Sequence, residues 1–242
     1  MGKENKNISI LNPSSHLAEA YKKLQVNIQI ASMNSKVQVI QITSSESGEG
    51  KTFTAVNLAS VYSAKNKKVI IVDLDFRKPK VHKAFNIENK LGVVDILLNN
   101  ASLEDTIQHC EYDVDVLTRG SKVDNIELLL ESEGLDSLIK TLREQYEIII
   151  LDCPPAMVVT DASIITRLAD GLVFVVAYNH SKKDIVKEAV KRIKLTGVKV
   201  LGAVLSQVEN SPRRSYYAGY QYYYYGSYGS YHETNTNEGG NE

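Results

Sequence analysis

The sequence predicts an open, doubly wound α/β domain with a mostly parallel sheet, and three observations predict it. Short apolar runs of strand length recur along the chain. Amphipathic stretches of helical period separate them, which is the pattern of βαβ units. A glycine-bearing turn of nucleotide-binding type joins the first run to the helical stretch after it. In such folds ligands bind beyond the C-terminal ends of the strands.

Each element has its own signal. A helix is expected from about Ser15 to Met33, where Leu17, Tyr21, Leu24 and Ile28 fall at helical spacing and Ser14 or Ser15 can cap the first turn. Val37 to Ile42 alternates with the period of a strand. A polar turn, Thr43 to Gly50, leads into a helix from Lys51 to about Ala64. Lys68 to Asp73 is apolar throughout and reads as a strand buried on both faces. Short helices around Gly92–Asn99 and Leu103–His109 and a strand at Val114–Thr118 occupy the middle of the chain. A helix from about Leu135 to Gln145 precedes strands at Glu147–Asp152, Gly171–Ala177 and Val198–Leu205. Helices at Asp161–Leu168 and Lys182–Leu195 separate those strands. The folded domain is thus expected over residues 15–209, after a flexible start at 1–14. From about Asn210 aliphatic residues disappear and Gly, Ser, Asn and Tyr take over. Residues 210–242 cannot bury enough aliphatic surface to offset ordering entropy and read as a flexible tail.

Composition excludes several classes. The chain has 242 residues, 43% apolar and 24% charged, enough for one domain with a real core. Lys+Arg 28 against Asp+Glu 29 leaves a net charge of -1, which argues against a bulk electrostatic nucleic-acid binder. No apolar run approaches the roughly 20 residues of a membrane-spanning helix. Met1 to Asn7 is polar and has no signal-peptide core. Cys110 and Cys153 make neither a disulfide framework nor, with the scattered histidines, a zinc spacing, so the reducing cytosol is the simplest compartment. Lysines 183, 187, 191 and 194 stripe the last helix as a solvated face. One number stands out: 14 Tyr against 4 Phe and no Trp. Nine of those tyrosines (Tyr216, Tyr217, Tyr220, Tyr222, Tyr223, Tyr224, Tyr225, Tyr228 and Tyr231) lie in the tail.

Three motifs carry chemistry. Ser45 to Thr52 reads SESGEGKT, a P-loop with serine at the first glycine position. Backbone N–H groups from Ser47, Gly48, Glu49 and Gly50 can cradle phosphate oxygens. Lys51 can neutralise β/γ charge, and the Thr52 hydroxyl can ligate Mg2+. Val72 to Pro79 reads VDLDFRKP, with Asp73 and Asp75 two apart at a strand end and so expected on the same side. Such a pair can hold hydrated Mg2+ and accept a hydroxyl proton, although a strand-end aspartate is also a common helix or loop cap. Ile148 to Pro155 reads IIILDCPP, with Asp152 in the metal-holding Walker B position. Cys153 beside it reads as a small buried residue. Together the motifs point to ATP and Mg2+. Tethered to such a site, a run of phenols with pKa near 10 is a phosphoacceptor served by a carboxylate base.

With Thr160-Asp161-Ala162 and the tyrosine cluster, these motifs resemble the bacterial tyrosine kinases of capsule and exopolysaccharide operons, in their stand-alone cytoplasmic, Gram-positive form. The resemblance covers the chain from about residue 15 to its end. It implies ATP-dependent autophosphorylation of the tail, largely between subunits of a homo-oligomer. It also implies activation by a membrane-anchored partner of the polysaccharide chain-length regulator type, peripheral recruitment to the membrane through that partner, and a cognate phosphotyrosine phosphatase. By position, Lys51 and Thr52 would bind phosphate and Mg2+, Asp73 and Asp152 would hold the hydrated metal, and Asp75 would be the base toward the incoming tyrosine. The chain departs from the family at three places. Glu19, Lys22 and Gln25 stand where a subunit-contact motif E-x-x-R-x-x-R is frequent. Asp124-Asn125-Ile126 precedes Glu127-Leu128-Leu129 in place of a Pro-Asn-Pro turn, and Ser206 ends the last strand where Asn is common near adenine. The rival readings are a partitioning-type ATPase of the same fold and a catalytically silent nucleotide-gated adaptor. The first is disfavoured by Glu46, which stands where those ATPases carry an early P-loop lysine, and by the tail, which cannot form their amphipathic membrane helix.

Overall fold

The computed structural model describes residues 16–33, 35–110 and 112–208. The Ser14/Ser15 cap and the nine C-terminal tyrosines lie outside the described residues, as does the side chain of Leu17. Among the described residues seven strands form one sheet in the order β3-β4-β2-β5-β1-β6-β7. These are β1 (Val39–Ser44), β2 (Val69–Asp73), β3 (Gln108–His109), β4 (Val114–Leu117), β5 (Ile148–Asp152), β6 (Gly171–Ala177) and β7 (Val200–Ser206). All neighbours pair in parallel except the edge strand β3, which runs antiparallel to β4. The predicted fold class is the observed one.

Helices cover both faces of the sheet. Ile40 and Ile42 of β1, Ile71 of β2 and Ile150 of β5 share a core with Tyr21 and Ile28 of α1 (His16–Ala31) and with Ala55, Val56 and Leu58 of α2 (Lys51–Ser63). The alternate residues Val39, Ile70, Val72, Ile149 and Leu151 face the other way, onto Leu135, Leu138 and Leu142 of α7 (Glu133–Gln145) and Ile165 of α8 (Asp161–Ile165). A third cluster packs Ala189 and Ile193 of α9 (Lys183–Leu195) on Leu172 and Phe174 of β6. Being covered on both faces makes every residue of β1 buried, Gln41 included. The alternation read over Val37–Ile42 therefore does not mark a one-sided strand. Gln41 is polar but satisfied, donating through Nε2 to the carbonyl of Ala162 at 2.8 Å.

Four short helices fill the connections: α3 (Val81–Phe85), α4 (Val93–Leu97), α5 (Leu103–Thr106) and α6 (Ile126–Leu130). α4 and α5 were expected, although α5 ends at Thr106 rather than near His109; α3 and α6 were not. Nor was β3, only two residues long. The helix expected over Asp161–Leu168 ends at Ile165 and tightens into a 3-10 turn, Thr166–Leu168. α1 packs on α2 through an edge-to-face contact of Tyr21 and Phe53. Its Gln25 is buried and receives a hydrogen bond from Lys65, while Lys22 pairs with Glu19 at 3.6 Å within the helix. Val26, Ile30 and Met33 remain exposed.

Strand order places the site. β2, β5 and β1 are neighbours, so the three motifs that follow them emerge side by side at one end of the sheet. The register pairs Asp73 directly with Asp152, and Ile42 with Asp152 on the other side.

Candidate nucleotide-binding site

The loop after β1 is shaped by two glycines and one glutamate. Gly48 and Gly50 have φ of 84° and 93°, a region that side-chain-bearing residues rarely enter, and Gly50 is the N-cap of α2. Glu49 is fully buried. Its carboxylate accepts hydrogen bonds from Ser45 Oγ at 2.8 and 3.1 Å, from the Glu46 amide at 2.8 Å and from Ser181 Oγ. Burial pushes this carboxyl up, but the Glu46, Ser181 and Ser45 hydrogen bonds outweigh it and leave the pKa below the usual glutamate value. Only the peptide N–H of Glu49 is left to face a phosphate. Ser45, at the first glycine position, thus serves as the donor that folds Glu49 back into the loop. The loop after β5 braces the same turn, with Ala156 and Met157 amides donating to the Ser44 and Ser45 carbonyls at 2.8 and 3.2 Å.

A cleft of about 340 Å³ opens beside this loop. Ser47, Gly48, Gly50, Lys51, Thr52 and Phe53 form one wall. Asp75, Lys78, Lys80, Lys83 and Ala84 form the other. Lys51 is only 7% exposed, so its charge is held at the cleft rather than in bulk water. Thr52 Oγ1 donates to Asp152 Oδ2 at 2.7 Å. The other oxygen, Oδ1, is buried with no hydrogen-bond partner among the described residues. An unsatisfied buried carboxylate oxygen beside a hydroxyl fits a hard divalent cation such as Mg2+. Burial raises the Asp152 pKa to about 6 against the pull of Thr52 and Lys51.

Asp73 and Asp75 differ in exposure: the first is fully buried and the second lines the cleft. β2 stops at Asp73, so strand alternation does not extend to Asp75. The Asp73 carboxylate is fully buried and receives the amides of Asp75, Lys80 and Val81 at 3.3, 3.1 and 3.1 Å. It holds the loop that leads into α3 and lies in register with Asp152 on the neighbouring strand. Burial, and next the charge of Asp152, push its pKa well up, so the two acids together favour a neighbouring cation. Asp75 lies in the cleft wall. Burial raises its pKa, partly offset by the Lys78 amide and by the charges of Lys51 and Lys80. Cys153 is buried and its thiol pKa is pushed well up by burial and the Asp152 charge, as an inert packing residue requires.

Four residues at the site were not among the candidate catalytic, nucleotide or metal residues. Arg77 makes a bidentate pair with the wholly buried Asp161, at 2.9 and 3.2 Å, tying the loop after β2 to the start of α8. Arg77 sits beside the acids in VDLDFRKP and Asp161 within Thr160-Asp161-Ala162, but their pairing across 84 positions has no local signal. Ser206 donates to the Glu49 carbonyl and Gln207 to the Gly48 carbonyl, each at 2.6 Å.

The AAA domain family profile matches residues 37–201. The chain is 36% identical to tyrosine-protein kinase YwqD of Bacillus subtilis over 217 residues, covering 89% of this chain and 90% of that protein. It is 31% identical over 213 residues to the putative tyrosine-protein kinase CapB of Staphylococcus aureus, covering 88% and 92%. Against tyrosine-protein kinase etk of Escherichia coli K12 the identity is 30% over 84% of this chain but only 28% of that longer protein. Among solved structures, the chimerical protein CapA2B2 superposes with TM-score 0.82 at 37% identity over 87% of this chain and 93% of that one. The kinase domain of the E. coli ETK superposes with TM-score 0.77 at 27% identity, over 83% of this chain and 80% of that one. MinD of Pyrococcus horikoshii, complexed with Mg-ADP, shares the fold at TM-score 0.62 and 24% identity, over 73% of this chain and 72% of that one.

Proposed function

The chain belongs to the bacterial tyrosine-protein kinases, and from that premise we propose that it transfers the γ-phosphoryl group of ATP to tyrosines of its own C-terminal segment, within capsule or exopolysaccharide synthesis. One observation carries the reading most. Lys51, Thr52 and Asp75 converge on a single cleft, with the Asp152 carboxylate hydrogen-bonded to Thr52. The loop amides and Lys51 would bind the phosphates and spread the charge that develops during transfer, since phosphoryl transfer asks a protein mainly for position and electrostatics. Thr52 and Asp152 would hold Mg2+, with the Asp73 charge behind them. The ion, when bound, supplies further neutralisation of phosphate charge. Asp75 would take the phenol proton. Its raised pKa makes it a stronger base than an exposed aspartate and narrows the gap to the phenol near pKa 10.

The phosphoacceptors would be drawn from Tyr216, Tyr217, Tyr220, Tyr222, Tyr223, Tyr224, Tyr225, Tyr228 and Tyr231. None of the helices among the described residues is long and apolar enough to cross a membrane. We propose that recruitment to the membrane comes from a membrane-anchored activator, that subunits phosphorylate one another in a homo-oligomer, and that a phosphotyrosine phosphatase resets the segment. The test is purified protein with Mg-ATP, with and without the cytosolic segment of that activator, read by mass spectrometry. Tail phosphotyrosine is expected, and Lys51→Met should lower its rate by at least a hundredfold. Absence of incorporation with the activator present would sink the kinase reading. Incorporation that survives Lys51→Met would remove this cleft as its site.

A further inference from the structure

The last strand ends against the phosphate-binding loop in an arrangement that the motifs do not explain. Ser206 is paired with Ala177 across β6 and β7 and held by the Tyr178 amide, which donates to its carbonyl at 2.9 Å. Its Oγ donates to the Glu49 carbonyl at 2.6 Å, and a Cβ at Gly50 would sit 3.4 Å from the Ser206 side chain. The next residue, Gln207, has φ of 56°, in the left-handed region that costs free energy for a residue with a side chain. In that conformation its Nε2 donates to the Gly48 carbonyl at 2.6 Å.

The consequence follows from the planarity of the peptide bond. In a trans peptide the C=O and the following N–H point in opposite directions. Holding the Gly48 carbonyl toward Gln207 turns the Glu49 N–H the other way. Holding the Glu49 carbonyl toward Ser206 does the same for the Gly50 N–H. No acceptor among the described residues takes either of these amides. We propose that Ser206 and Gln207 are positioning residues of the phosphate cradle, fixing two peptide planes so that their N–H groups are aimed at the nucleotide phosphates before nucleotide arrives. Residue 207 then spends backbone strain on preorganising a site on the far side of the loop. The inference rests on the nucleotide-binding reading above and assigns a role to Ser206, where the last strand's pairing with β6 ends, and to the residue after it.

The test is titration of the full chain with Mg-ADP and with adenosine, together with KM and kcat for ATP. Ser206→Ala and Gln207→Leu should each weaken Mg-ADP binding about three- to tenfold, as loss of one orienting hydrogen bond implies. They should lower kcat/KM for ATP by at least the same factor and leave adenosine affinity unchanged. Ser206→Thr keeps the hydroxyl and should restore Mg-ADP affinity. Gln207→Glu replaces a donor with an acceptor and should be worse than Gln207→Leu. Unchanged Mg-ADP affinity in Ser206→Ala and Gln207→Leu would overturn the inference while leaving the kinase reading intact. So would equal losses for adenosine and Mg-ADP, or failure of Ser206→Thr to restore binding. Failure of the unaltered chain to bind Mg-ADP at all would overturn the kinase reading itself.

Discussion

At Asp152 the cost of burying a carboxylate meets the use made of it. Burial raises its pKa to about 6, so the folded chain takes up this proton more readily than the unfolded chain, whose aspartate has its ordinary value near 3.8. Stability of the nucleotide-free protein from this group is therefore greatest below pH 4 and declines as pH rises toward 6. A divalent cation reverses the trend, because only the ionised carboxylate ligates it. Thermal midpoints should show little gain from Mg-ADP at pH 5 and a clear gain at pH 7.5. Asp152→Asn should remove both the pH trend and most of the magnesium-dependent gain. Each kcal/mol would read as roughly 2–4 °C at this chain length. A magnesium-dependent gain that is the same at both pH values would refute this role for Asp152. Sequence showed that this aspartate ends an apolar strand. It did not show that one oxygen lacks a partner, because that depends on Thr52, 100 positions away. Glu49 makes the complementary point. By position it belongs to the phosphate loop, yet its side chain is consumed inside it by Ser45 and Ser181.

Elements are joined here by a few polar staples as well as by apolar packing. Asp170, just before β6, accepts the amides of Gln38 and Val39 at the start of β1, both at 2.8 Å. It also receives a two-point pair from Arg143 of α7 at 2.8 and 2.9 Å. Burial alone would raise its pKa, but the Arg143 and backbone hydrogen bonds outweigh that and hold it below the usual value. With the folded pKa depressed, its contribution to stability is fully present above the ordinary aspartate range and is lost as pH falls through the lowered value. Asp170→Ala should cost about 2–3 kcal/mol, since it strands two amides and a guanidinium. Urea unfolding at pH 7 would measure the loss, and the difference from the parent should shrink toward pH 3. The long elements were legible in the sequence because they are long. β6 was read with its observed ends, and α2, α7 and α9 to within a residue or two. β1 was shifted by two residues, running on through the polar but buried Thr43 and Ser44. α3 and α6 escaped because their ends are set by tertiary contacts, as when Asp73 collects the amides that start α3.

For the molecule as a whole, the described domain and the C-terminal tyrosines divide the labour of the proposed reaction. The cleft, its metal-binding groups and the loop-positioning residues all lie at or before Gln207, whereas the nine tyrosines begin at Tyr216. Removing residues 209–242 should therefore leave the thermal midpoint within about 1 °C and Mg-ADP affinity within twofold, while abolishing self-incorporated phosphate. Replacing the nine tyrosines with phenylalanine should do the same. A truncated chain that loses nucleotide affinity would show that the tyrosine segment is part of the binding site. The placement of Ser206 and Gln207 also has a consequence for biosynthesis. Translation delivers the phosphate loop first, the Asp152 strand 100 positions later, and the two residues that hold the loop's carbonyls later still. Because parallel strands distant in sequence must find one another before the sheet closes, a nascent chain carries Lys51 long before it owns a finished cradle. The cradle would then be complete only once β7 pairs with β6, and the tyrosines it would modify follow it in the chain.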